Sequence, residues 1–129
     1  MAARGIKTRS AARPECDQRL ARAREFWHAA EALADLEQAP NAIAAQYVLC
    51  GIAAADAICC RRLGEYSRSD DHNDAVDLVK RVDPGLAPSL SRLLTDKSLD
   101  AYGAAAVSAK RVSTTRAAAQ RLLEFAEVM

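Results

Sequence analysis

The stretch PNAIAAQYVLCGIAAADAICCRRL, Pro40 to Leu63, constrains this chain more than any other. From Ala42 to Cys60 its one charged side chain is Asp56. A helix of that composition is apolar on nearly every side, so it has to be surrounded. Lipid is one way to surround it. The nineteen residues are near the minimum for a span, but seven are Ala, and Gln46, Gly51 and Asp56 interrupt the run. A charge at mid-depth costs at least about 2.5 kcal/mol on insertion scales. The stretch therefore reads as the core helix of a soluble bundle, with no membrane partner.

The rest of the composition agrees. A chain of 129 residues supports one domain with one continuous core. Half of it is hydrophobic, yet Trp, Tyr and Phe together number only six, so closely spaced helices are favoured over a sheet. Eighteen basic and seventeen acidic residues leave a net charge of +1, which excludes a bulk electrostatic demand for nucleic acid or anionic lipid. Residues 1–13 carry Arg4, Lys7, Arg9 and Arg13 with no acid and no signal-type apolar core, and read as a disordered basic arm. Cys16, Cys50, Cys59 and Cys60 lack the spacing of a zinc site or of a secreted disulfide framework. They read as free, buried thiols in a reducing cytoplasm.

Five helices are expected. The first runs from about Pro14 to Leu36, with Cys16, Leu20, Ala23, Phe26, Trp27, Ala30, Leu33 and Ala34 on one side and Asp17, Arg24, His28, Glu31 and Asp35 on the solvent side. The second ends at Gly64. The third is capped by Ser69 or Asp70, carries Ala75, Val76, Val79 and Val82 inward, and stops before Pro84. The fourth starts between Pro84 and Pro88 with Leu86, Leu90, Leu93 and Leu94 inward, and Gly103 breaks the chain after it. Ser108 caps the fifth, whose face is Val112, Thr115, Ala119, Leu122, Leu123 and Ala126. Short links imply an all-α, up-and-down four- or five-helix bundle over residues 14–129, around the buried second helix.

Two runs resemble the HEPN domain, a family of small helical bundles. AAQYVLCGIAAADAI is similar to the family's second helix, and KSLDAYGAAAVSAKRVSTTRAAAQRLLEFAE to its ending. The resemblance implies two settings: a ribonuclease toxin, or a non-catalytic module that dimerises or docks a minimal nucleotidyltransferase in a toxin-antitoxin-like pair. Nuclease members share an Arg and a His with four to six residues between them, near the final helix. Here the only histidines are His28 and His72, and residues 92–129 contain none. Arg22 and His28 meet the bare spacing but lie in the first helix, and Arg68 and His72 are too close. RNA cleavage without a metal needs a base of near-neutral pKa and a phosphate-holding cation in one cleft. The reading is a non-catalytic interaction module, with the divergent ribonuclease as alternative and an RNA- or nucleotide-binding accessory protein as a second.

No catalytic residue, metal ligand set or cofactor follows from the pattern. Asp56 needs either the bundle edge or a donor, with Lys97, Arg92, His72 and Tyr102 available by type. A structural tie at one end of the bundle is the expectation, so that Asp56→Ala lowers the melting temperature; a ligand site is the alternative. Asp70, Asp71, His72 and Asp74 have metal-ligand types but point in different directions along a helix. Lys110, Arg111, Arg116 and Arg121 are the candidate phosphate contacts on the last helix, set against a plain solvated face.

Overall fold

The computed structural model describes residues 5–36, 39–68, 71–102 and 105–129, and their side chains except those of 98–102. Five helices carry the chain: α1 (Arg13–Asp35), α2 (Pro40–Leu63), α3 (His72–Val82), α4 (Ala87–Tyr102) and α5 (Ala109–Glu127). A single 3-10 turn, Pro84–Leu86, precedes α4. Two three-residue strands, β1 (Thr8–Ser10) and β2 (Glu65–Ser67), pair antiparallel, Arg9 opposite Tyr66.

The helix ends follow local chemistry. Gly64 closes α2 in the left-handed region at φ 74, where a side chain would be strained. The Asp71 side chain caps α3 by accepting from Asn73 N at 2.9 Å. Asp71 thus holds the capping role expected of Ser69 or Asp70, which lie outside the described residues, as does the break at Gly103. Asp83 is extended before Pro84 and accepts from Gly85 N at 2.8 Å, so α3 ends where proline forbids its continuation. Ser108 caps α5 through Arg111 N, as its sequence position predicts.

Named contacts give the helix directions. Cys16 meets Cys60, and Glu31 meets Tyr47, so α1 and α2 are antiparallel. Asn41 binds Val107 N while Arg61 reaches the Ala126 carbonyl, so α5 runs alongside α2 in the same sense. Arg121 meets Gly85, and Arg111 meets Asp96, so α4 opposes α5. The long helices α1, α2, α4 and α5 alternate up and down, with α3 inserted against α2 and α4.

Tyr47, Val48 and Ile58 of α2 are fully buried among Leu20, Leu78, Leu90, Leu93 and Leu122. Gly51 lets α4 and α5 pack tightly against α2: a Cβ there would stand 2.1 Å from Leu93 Cδ1 and 3.5 Å from Ala119 Cα. Leu78 and Val79 are the buried anchors of α3, whereas Ala75, Val76 and Val82 are only half-buried.

Three expectations change. The first thirteen residues are not all an arm: Thr8–Ser10 is held by β2, Ala11 N donates to the Gly64 carbonyl, and α1 begins at Arg13. The backbone hydrogen-bonding of β2 captured a polar segment that has no apolar pattern of its own. Cys16 and Cys60 are not free thiols but a disulfide, with Cα atoms 5.4 Å apart where the start of α1 crosses the end of α2. Only Cys50 and Cys59 are free, and burial pushes both thiols up to about 12. Finally, α2 is not covered all round. It is long and apolar enough to cross a membrane, but 72% of its most apolar window is buried in the bundle. The remainder is one edge: Ala42 is exposed, and Ala45, Gln46, Leu49, Ile52, Ala53 and Asp56 are half-buried.

Candidate functional site

The uncovered edge of α2 ends in a cleft against α3 and α4. Helical spacing puts Ile52 and Asp56 on one line, four residues apart. Ala75 of α3 and Leu94 of α4 close the apolar walls, and His72 and Lys97 stand at the rim with Ser67 and Asp71. The cleft encloses about 170 Å³. Beneath it lies a second space of about 30 Å³, almost wholly apolar, lined by Ala55, Cys59, Leu78, Val79 and Leu90. Ile52, Asp56, Ser67, Ala75 and Leu94 line both.

Asp56 is the chemical centre of this cleft. Its carboxylate meets one cation, Arg19 Nη1 of α1, at 3.4 Å, a long contact for a charged pair. Burial pushes its pKa up to about 6 and Arg19 only partly opposes that shift. Arg19 is itself shared: it donates to Glu15 at 3.2 Å, and its guanidinium lies 3.5 Å over the Tyr66 ring. Tyr66 Oη also donates to Glu15, at 2.9 Å. Glu15 therefore sits well below the usual carboxylate range, because Tyr66 and Arg19 hold it ionised.

Of the residues grouped with Asp56 by sequence, the cleft brings together His72 and Lys97. Both are exposed at its rim, and neither makes a hydrogen bond or ion pair among the described residues. Arg92 lies apart. It donates to Asp96 Oδ2 at 2.9 Å, while Arg111 of α5 takes Asp96 Oδ1 at 2.9 Å. Asp96, whose side chain is 7% exposed, is thus the buried acid that binds α4 to α5. The Tyr102 side chain lies outside those described. Nor does sequence pairing find the partner of Asp56: Arg19 is 37 residues away on α1, and no local spacing points to it.

The four cations proposed as phosphate contacts separate into two pairs. Arg111 is taken by Asp96 and Arg116 by Glu31, leaving Lys110 and Arg121 exposed. Arg116 donates twice to Glu31, at 2.7 and 3.1 Å, and lies 4.9 Å from the Trp27 ring centroid. Tyr47 Oη donates to the same carboxylate, and the Trp27 and Tyr47 rings pack 5.3 Å apart. This knot joins α1, α2 and α5. Sequence periodicity placed Glu31 on the solvent side of α1 and so missed it; the signal was a buried tyrosine needing an acceptor. Arg116 holds Glu31 below its ordinary range, while burial raises Tyr47 to about 12.

The two histidines occupy different elements, His28 exposed on α1 and His72 exposed at the start of α3. No three His, Cys, Asp or Glu side chains among the described residues converge to hold a metal ion. Compared with known proteins, the chain matches no family model, no curated protein and no solved structure.

Proposed function

We propose that the chain is a non-catalytic interaction module of HEPN-like type, and that a second copy docks along the open edge of α2. The observation that carries this reading is the edge itself. The most apolar helix of the molecule leaves Ala42, Ala45, Leu49 and Ala53 at three- and four-residue spacing exposed or half-buried. Small side chains at that spacing let another helix approach closely. Without a charge until Asp56, the stripe is complementary to itself across a two-fold axis.

The enzyme reading has less to stand on. A metal-free nuclease needs base and cation in one cleft, and neither histidine is paired with an arginine among the described residues. The RNA- or nucleotide-binding reading narrows to Lys110 and Arg121, because carboxylates hold the other two cations. A cytoplasmic setting of toxin-antitoxin type remains part of the proposal. Such a setting predicts Cys16 and Cys60 reduced in cells, which trapping thiols during lysis reads directly.

Light scattering on size-separated protein tests the docking edge. Wild type should run as a dimer, and Leu49→Glu as a monomer with little change in melting temperature, since Leu49 is only half-buried. A wild-type monomer at high concentration removes the second copy. Capture of a nucleotidyltransferase by that monomer would transfer the edge to a different partner.

A further inference from the structure

We propose that the cleft between α2, α3 and α4 binds an α-amino acid with an aliphatic side chain, its ammonium on Asp56, its carboxylate toward Lys97 and His72, and its tail against Ile52, Ala75 and Leu94. The inference goes beyond the docking edge and does not depend on it.

Three observations carry it. The first is unmet acceptor capacity. A carboxylate has about four lone-pair sites, and Asp56 uses one, in a 3.4 Å contact to Arg19. Two other buried or half-buried acids of this bundle are closely held: Asp96 by two guanidinium groups at 2.9 Å, Glu31 by Arg116 and Tyr47. A compact donor such as a primary ammonium supplies what Asp56 lacks, and Asp56 lines the cleft from which it would come.

The second is the mixed charge of the rim. Lys97 and His72 line the same cleft without an ion pair among the described residues, and both are exposed, while the acid beside them, Asp71, is engaged in capping α3 through Asn73 N. A simple cation that suits Asp56 would meet repulsion from Lys97, and a simple anion that suits Lys97 would meet repulsion from Asp56. A molecule carrying an ammonium and a carboxylate on one carbon satisfies both groups at once. The third is the wall between them. Ile52, Ala75 and Leu94 are apolar and continue into the deeper space of about 30 Å³, more than the roughly 10–15 Å³ that one water-sized group requires. The outer space of about 170 Å³ opens to solvent and receives the two charged groups of a small amino acid with its tail inward.

Calorimetric titration of the full chain with L-leucine tests the proposal. The controls are 3-methylbutylamine, which lacks the carboxylate, 4-methylpentanoate, which lacks the ammonium, and glycine, which lacks the tail. Saturable binding of L-leucine is expected, with each control weaker by about tenfold or more. Lys97→Ala should weaken L-leucine by a similar factor without altering the melting temperature of the free protein, and Asp56→Asn should abolish it. If Asp56→Asn does not fold, Lys97→Ala decides. No saturable heat with L-leucine, a control that binds equally well, or a Lys97→Ala protein that binds like wild type each overturns the proposal. These readouts are heats of binding, so they fail independently of the dimer measurement.

Discussion

Two carboxylates mark opposite corners of the central helix, and they behave in opposite ways. Glu31 packs against the N-terminal half of α2, where Arg116 takes it with two hydrogen bonds and Tyr47 with a third. Its pKa falls, chiefly because Arg116 holds the charge. Asp56 lies in the C-terminal half of α2 with one long contact, and its pKa rises to about 6 because burial outweighs Arg19. Acid type does not decide the sign; the balance of burial against the number and closeness of donors does. The Glu31 corner is a completed structural joint, whereas the Asp56 corner is left open toward a cleft.

If the Asp56 ion pair does little to hold α1 against α2, something else must, and Cys16–Cys60 is placed to do so. The bond closes a loop with a sequence separation of 44. In the chain-entropy description that loop is worth about 4 kcal/mol, lost on reduction. Denaturant unfolding with and without reductant should show a shift of this order. A shift below about 1 kcal/mol would mean that the Arg19–Asp56 contact and the 2.7 Å pair of Arg61 with Asp17 of α1 suffice at this end, and the contrast between the corners would weaken.

Asp56→Asn is the second test, and its expected sign is opposite to that of a structural tie. The folded pKa, about 6, lies above the ordinary 3.8. The folded state therefore holds the proton more tightly than the unfolded chain, so this group favours folding below pH 4. That contribution is lost as pH rises through about 6. At pH 7 the charged form opposes folding by on the order of 2 kcal/mol. Asparagine should recover most of that, raising the melting temperature at pH 7 and leaving it close to wild type at pH 4. A lower melting temperature at pH 7 would restore the structural tie expected from sequence. Glu31 works the other way: its lowered pKa supports folding at neutral pH, and that support fades as pH falls below the ordinary carboxylate range.

How far these corners were legible in the sequence differs for physical reasons. The limits of α2, its role as the core helix and the Ser108 cap came from periodicity, Pro40, Gly64 and local capping chemistry, all of which are short-range signals. The cleft was partly legible, since an acid in an apolar helix demands explanation, and His72 and Lys97 were named with it. Its true cation was not, because Arg19 reaches Asp56 through the packing angle of α1 on α2. The disulfide was missed for the same reason. Cys16 and Cys60 are apolar-face residues on antiparallel helices, and only the register of those helices brings their Cα atoms within 5.4 Å. Glu31 was misplaced because the helical wheel marks polarity, while a third helix, α5, supplies its partner.

A smaller effect sharpens the Glu31 corner. Arg116→Lys keeps the charge but loses the paired hydrogen bonds and the contact with Trp27. The knot is partly exposed, so the cost should be modest, about 1 kcal/mol in denaturant unfolding. No loss would show that a point charge near Glu31 is enough, and that the planar geometry of the arginine contributes nothing measurable.

The smallest expected change in stability is the most discriminating between the corners. Lys97 is exposed at the cleft rim and makes no hydrogen bond or ion pair among the described residues, so Lys97→Ala should stay within about 0.5 kcal/mol of wild type. The acids that share the cleft lining with it, Asp56 and Asp71, give the substitution a second, electrostatic readout. Removing a cation from the rim disfavours the ionised Asp56 slightly more, so the pH at which stability falls should move upward, never downward. A destabilisation well above 0.5 kcal/mol would mean that Lys97 already closes the cleft in the free protein, as Arg116 closes the Glu31 corner. The two corners would then be the same kind of joint.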